Sequence, residues 1–199
     1  MMDLNLFFRL SILVILIIMF AISVYFRRRA REQRGKIRRR EEGWMALSLR
    51  LIISLPLFID LLLNLYYPQL LDWAKFDLPL FVRIAGLVLT ALCIPLLWWV
   101  FGSIGKNLSE TVLIKDIHQL VTSGPYRWIR HPLYAASLLL IFSISLVFED
   151  WILLGYFLAA TLAFRLLIIP AEEEQLLNAF GEEYECYQAR TGALFPWLR

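Results

Sequence analysis

Five runs of apolar residues divide this chain: Leu4 to Phe26, Ala46 to Tyr66, Leu80 to Phe101, Leu133 to Phe148 and Trp151 to Pro170. A helix that crosses a bilayer needs about 20 predominantly apolar residues. The spacing therefore predicts an all-α, polytopic integral membrane helical bundle with five transmembrane helices. The fourth run is short and is expected to draw on His131 and Pro132 at one end, since Pro suits a first helical turn, and on Asp150 at the other. Composition agrees: 60% of the 199 residues are hydrophobic and 19% charged, against roughly 45–50% and about a quarter in soluble domains. So little polar sequence separates the runs that only packing between membrane helices can build a core. A single domain over 1–199 is expected.

The first run resembles a signal peptide, but its basic cluster follows the apolar stretch and no small-residue cleavage site appears, so it reads as a retained span. From Arg27 to Glu42 nine Lys and Arg stand against three Glu, in a chain whose net charge is only +3. The positive-inside rule makes this stretch cytoplasmic, so residues 1–43 comprise a first span and a basic cytoplasmic loop. The N-terminus then lies outside, and the Gly102 to Arg130 segment and the tail from Ala171 lie inside. Beside a membrane such a run anchors topology and touches anionic lipid, and no nucleic-acid partner is expected. Among the charges inside spans, Arg50 and Arg83 are close enough to span ends to snorkel. Asp60 lies deeper, where pairing with a neighbouring helix or a pathway role are both open, and Arg165 lies near the cytoplasmic end of the last span.

The segment between the third and fourth runs is rich in glycine, hydroxyl and ring residues and has no stretch long enough to cross. Ser123, Gly124 and Pro125 read as a turn. Arg127, Arg130 and His131 stand at the mouth of the fourth span, and His131 and Tyr134, three residues apart, share a helical face. In the tail, Leu176, Leu177, Phe180, Tyr184 and Tyr187 recur at helical spacing among Glu and Gln, which predicts a short C-terminal amphipathic helix at the membrane surface. Glu172, Glu173 and Glu174 either favour the start of that helix or hold a cationic ligand at the mouth of a cavity; spacing leaves both open. The two histidines and two cysteines make no metal spacing and no disulfide framework, and no glycine-rich phosphate loop follows a strand, so neither a metal site nor a soluble nucleotide fold is indicated.

The compound pattern GKNLS, HQLVTSGPYRWIRHPLY and PAEEEQLLNAFGEEYECYQARTG resembles the isoprenylcysteine carboxyl methyltransferase family, including its prokaryotic integral-membrane members, from about Gly102 onward. Phospholipid N-methyltransferases share the RHPxY and paired-Glu elements more distantly. The resemblance implies an S-adenosyl-L-methionine-dependent methyltransferase whose core, residues 102–199, holds the cofactor in a pocket formed by the cytoplasmic loop and the C-terminal helix. A lipophilic small-molecule or lipidated acceptor would enter from the surrounding membrane lipids. Carried over position by position, the cofactor ligands are His118, Gln119, Leu120, Val121, Tyr126, His131, Pro132, Leu133, Tyr134 and Glu172. Gly105 and Asn107 match an element that shapes the end of the third helix.

The catalytic candidates are Arg165, His131 and Glu173. Family members commonly carry an Arg four residues before the cofactor-binding Glu, where it is thought to meet the acceptor carboxylate. This chain has Ile168 there, and Arg165, one turn earlier on roughly the same face, is the nearest basic side chain. The expected reaction is methyl transfer to the carboxylate of a prenylcysteine-like substrate. The alternatives are N-methylation of a phospholipid or other lipophilic amine, for which His131 would take the proton, and a non-enzymatic membrane scaffold.

Overall fold

The structure, a computed structural model, describes residues 3–34, 44–104 and 120–196. Among these residues every regular element is helical. Helix α1 runs Leu4–Arg34, α2 Trp44–Tyr66 and α3 Leu80–Ile104. Helix α4 covers Pro132–Phe148, α5 Trp151–Ala163, α6 Ile169–Phe180 and α7 Glu182–Arg190. Short 3-10 turns occupy Pro68–Ala74 and Gly124–Arg127, and a π-turn, Phe164–Ile168, joins α5 to α6.

The five-span expectation is corrected to three. Among the described residues, three helical stretches are long and apolar enough to cross a membrane: Leu4–Ala30, Leu80–Ile104 and Trp151–Phe180. Helix α4 has 17 residues, about 25 Å at the helical rise against a hydrocarbon core of about 30 Å. It cannot lengthen, because Pro132 opens it and Glu149 takes a positive φ of 56° directly after it. In α2 the apolar helix among the residues with described side chains is Ser54–Tyr66, short of a span. The last span is longer than its apolar run, since helix continues through Pro170 as far as Phe180. The tail is accordingly two helices, not one: Gly181, at φ 52°, separates α6 from α7. Helix α1 likewise carries on through Arg27, Arg28 and Arg29, so half of the basic stretch is helix and the rest lies outside the described residues.

The chain forms two compact units, one of residues 1–20, 37–94 and 139–159, the other of residues 21–36, 95–138 and 160–199. The core of the first gathers Phe8 and Ile12 of α1, Ile144, Val147 and Phe148 of α4 and Leu153 of α5. Helices α3 and α4 meet at Gly86, where an added Cβ would lie 2.9 Å from the Ser143 carbonyl oxygen and 3.0 Å from the Leu146 Cβ. One turn on, the Thr90 hydroxyl donates to Gly86 O at 2.8 Å and lies 3.0 Å from the Ser143 hydroxyl. Small residues at such a crossing let membrane helices approach closely and bond across the interface.

Several polar groups in this unit bond to one another. Asp150 caps α5 through Ile152 N at 2.8 Å and accepts from Asn64 Nδ2 at 2.8 Å and Lys75 Nζ at 3.2 Å. Asp60 accepts from the same Asn64 amide at 3.1 Å. Arg83 pairs with Glu149 at 3.2 Å and lies over the Phe8 ring, so it is paired within the protein as well as close to a span end. Outward-facing Phe20 and Phe81, each 72% exposed, are lipid-facing surface rather than core.

Candidate functional site

In the second unit the chain segment before α4 and the start of α4 are stitched to the tail. Ile129 bridges Gly192 in parallel register. Arg130 N donates to Gly192 O at 2.8 Å, His131 N to Ala193 O at 3.0 Å and Gly192 N to Trp128 O at 3.2 Å. The Tyr187 hydroxyl donates to Tyr126 O at 2.7 Å. These bonds set α7 across a cavity of about 260 Å³, near the small end for sites that hold organic ligands.

Its walls come from five elements, with Ile104 at the end of α3 and Arg130 just before α4 among the lining residues. The segment before α4 supplies Leu120, Val121 and Tyr126, and the start of α4 supplies His131, Pro132, Leu133 and Tyr134. Helix α6 adds Glu172, Leu176 and Phe180, and α7 adds Tyr184 and Tyr187. Eight of the ten residues expected to hold the cofactor thus share one cavity; His118 and Gln119, like Gly105 and Asn107, lie outside the described residues. Burial pushes the Tyr126 and Tyr184 phenols well above their ordinary range and Tyr187 to about 12, so the aromatic walls stay uncharged.

Two adjacent carboxylates have distinct surroundings. Glu172 faces the cavity, accepts a hydrogen bond from the Tyr134 hydroxyl and lies 3.4 Å from His131 Nδ1. Glu173 does not line the cavity. It accepts from Arg130 Nε at 2.6 Å, from Gln188 Nε2 at 2.9 Å and lies 3.3 Å from His131 Nε2. Arg130 Nη1 donates to Gln188 O at 3.1 Å and to Thr191 O. Burial disfavours the cationic form of His131, but hydrogen bonds and charge from Glu172 and then Glu173 outweigh it, raising the pKa above the usual imidazole value. The ring is thereby biased toward donating from both nitrogens, and stacks on Tyr134 with centroids 5.6 Å apart.

Arg165 stands in the π-turn, exposed and away from the cavity lining. α-Helical spacing sets Arg165 on roughly the face of Ile168, whereas a π-turn carries more residues per turn and rotates the preceding side chains around the axis. The turn instead brings Phe164 onto Tyr134, with ring centroids 4.4 Å apart and nearly parallel. Sequence reasoning passed over Phe164, and over Gln188 and Thr191. The helical recurrence of Tyr184 and Tyr187 was the available signal for a tail that covers a site.

The donor set suits S-adenosylmethionine. Aromatic and aliphatic walls accommodate an adenine ring and a sulfonium cation, Glu172 offers a carboxylate to an ammonium group, and the buried Tyr184 hydroxyl has no hydrogen-bond partner among the described residues.

A helical membrane protein with an interfacial small-molecule cavity of this kind is the class the fold and site define. Residues 84–178, which include both the RHPLY run and the paired glutamates, match the model of the isoprenylcysteine carboxyl methyltransferase (ICMT) family. That match covers just under half of the chain. The cobalt-zinc-cadmium resistance protein CzcN of Cupriavidus metallidurans is 43% identical over 82 residues, 40% of this chain and 36% of that protein. Methanethiol S-methyltransferase 1 of Bradyrhizobium diazoefficiens is 31% identical over 74 residues, 37% of this chain and 25% of that enzyme. The matches thus span well under half the length of either relative. The solved structure of the eukaryotic intramembrane Ras methyltransferase ICMT shares the fold, with a TM-score of 0.52 at 23% identity over 82% of this chain and 55% of that one.

Proposed function

We propose that this protein transfers a methyl group from S-adenosylmethionine to the carboxylate of a prenylcysteine-like, lipophilic acceptor. The observation that carries the reading is Glu172, set in an aromatic cavity between Tyr134 and His131 within the part of the chain that matches the family. Glu172 and His131, the latter both a cavity wall and a catalytic candidate, hold the cofactor's amino-acid end together with Tyr134. Glu172 acts there rather than beside the sulfonium, because that positive charge disappears during transfer and a carboxylate next to it would oppose reaction. Glu173 acts through His131 and Arg130.

Bound there, S-adenosylmethionine supplies a methyl group activated on sulfonium. An acceptor carboxylate, already ionised at neutral pH, would take that methyl group on an oxygen as the methyl's bond to sulfur breaks, so no base would be needed. The chain contributes alignment, worth several kcal/mol in well-oriented reactions, and exclusion of water by Tyr126, Tyr184 and Tyr187. His131, held toward its cationic form, is poorly placed to accept the proton that an amine acceptor would release.

Calorimetric titration of the purified protein with S-adenosylhomocysteine should show saturable binding. Glu172→Gln should weaken it about tenfold or more, as loss of a charged hydrogen bond does, with the fold intact. No saturable binding in the wild type, or the same affinity in the variant, overturns the cofactor assignment.

A second reading, methyl transfer to a small thiol, is favoured by Ile168 and by the position of Arg165: neither supplies a cation at the family position, and Arg130, the arginine on the cavity wall, is already engaged by Glu173. Labelled cofactor offered to a farnesylated cysteine analogue, a small thiol and an ethanolamine phospholipid decides among the acceptors. If Arg165 serves the carboxylate from outside the described cavity, Arg165→Gln raises KM for the prenylated acceptor alone.

For topology, we place the cavity and C-terminus on the cytoplasmic side and the N-terminus outside. Arg27, Arg28 and Arg29 belong to the same compact unit as the cavity, and basic juxtamembrane residues stay inside. Cys186 on α7 is exposed and Cys93 buried, so the native thiols report the orientation. A membrane-impermeant maleimide should label Cys186 in permeabilised cells and leave it untouched in intact ones; labelling in intact cells reverses the assignment.

A further inference from the structure

The first unit contains a cleft of about 380 Å³ that shares no residue with the cavity around Glu172. Three cations line it, Arg9, Lys75 and Arg83, and two of them are spent on the protein. Lys75 Nζ donates to Asn64 Oδ1, to Phe148 O at 3.0 Å and to Asp150 Oδ2 at 3.2 Å. Arg83 donates from Nε to Val147 O at 3.2 Å and from Nη2 to Asn5 Oδ1 at 2.9 Å, and Nη1 pairs with Glu149 at 3.2 Å.

Arg9 is different. It is half-buried on the apolar stretch Leu4–Ala30, where a charge is costly without a partner or access to head groups, and among the described residues it has no ion-pair or hydrogen-bond partner. Asp72, on the same cleft, has none either. The segment that carries Asp72 also presents Trp73, 78% exposed, and follows Tyr67, 58% exposed. Large amphipathic aromatics facing outward mark the head-group level of a bilayer. The cleft therefore offers one uncommitted cation and one uncommitted carboxylate at that level, with Phe8, Pro68 and Phe148 as apolar wall.

We propose that this cleft binds the head group of a zwitterionic phospholipid, with phosphate on Arg9 and ammonium on Asp72. The carboxylates of Asp72 and Glu149 repel a second negative charge, which selects an ethanolamine head over an anionic glycerol head. The apolar wall and the aromatic rim select a membrane-bound lipid over the same head group free in water.

Delipidated protein, reloaded from mixed micelles of ethanolamine and glycerol phospholipids of matched acyl chains, tests this by native mass spectrometry. Wild type should retain one ethanolamine phospholipid in preference to the glycerol lipid. Arg9→Gln should lower retention of both about tenfold, the effect of losing a charged hydrogen bond, and Arg9→Lys should restore part of it. Asp72→Asn should keep retention while abolishing the preference. Neither substitution removes a bond within the protein, so S-adenosylhomocysteine affinity stays unchanged and certifies the fold independently. Wild type without preference, or Arg9→Gln with undiminished retention, overturns the site. Displacement of the retained lipid by millimolar phosphoethanolamine alone overturns the assignment to a membrane lipid.

Discussion

Replacing Arg130 with Ala lowers the thermal midpoint of the detergent-purified protein by several degrees and weakens S-adenosylhomocysteine binding by at least tenfold. Arg130 and Glu173 have side chains only 10% and 15% exposed. Removing one member of such a pair leaves an uncompensated, largely buried charge, a change that costs about 3–5 kcal/mol. The effect reaches the cavity because Arg130 also holds Gln188 O and Thr191 O, the end of α7, and α7 carries Tyr184 and Tyr187 over the site. Arg130→Lys recovers only part of the loss, since one ammonium cannot reproduce a planar fork that serves Glu173 and two carbonyls together. Differential scanning fluorimetry and the calorimetric titration read the two effects. An Arg130→Ala protein with wild-type midpoint and affinity shows that the tail is held by other contacts.

The second large effect is expected far along the chain from the glutamates. Gly86→Val forces α3 from α4, because even the first carbon of the new side chain falls 2.9 Å from backbone oxygen Ser143 O and 3.1 Å from Val147 Cγ2. Neither can yield cheaply, one being backbone and the other part of the core with Phe8 and Ile12. Overpacking costs about 1–3 kcal/mol, and separating the helices also breaks the contact between the Thr90 and Ser143 hydroxyls. Gly86→Ala produces a smaller loss of the same sign. Unfolding in increasing dodecyl sulfate measures both, and a Gly86→Val protein as resistant as wild type refutes the close crossing. The Glu172→Gln and Cys186 experiments act elsewhere and are independent of this contact.

The site was legible in part because its chemistry is concentrated in local patterns. His131 and Tyr134 fall on one face of a helix whose start Pro132 marks, and the paired glutamates follow an apolar run, so the cavity wall could be named before any coordinates. Gln188 and Thr191 could not, because what they offer Arg130 is two backbone carbonyls that lie within its reach across 58 and 61 residues of sequence. Arg165 shows the same limit from the other side. Its expected direction assumed 3.6 residues per turn, and the π-turn from Phe164 to Ile168 changes the angle by an amount that no apolar pattern records.

What the sequence by itself determined is therefore the solvent and the family of chemistry. Runs of apolar residues dictate life in lipid because exposed backbone must bond internally there, and the RHPLY and paired-Glu pattern lies in the stretch that matches the family's model. Only the tertiary structure decided how many of those runs are long enough to cross, since helix ends are set by Pro132, by the left-handed turn at Glu149 and by continuity through Pro170. It also decided the division of labour between Glu172 and Glu173. Adjacent residues on a helix point about 100° apart, and which of the two faces the cavity and which faces Arg130 depends on how α6 is rotated against α4 and α7, a quantity fixed by packing and not by order along the chain.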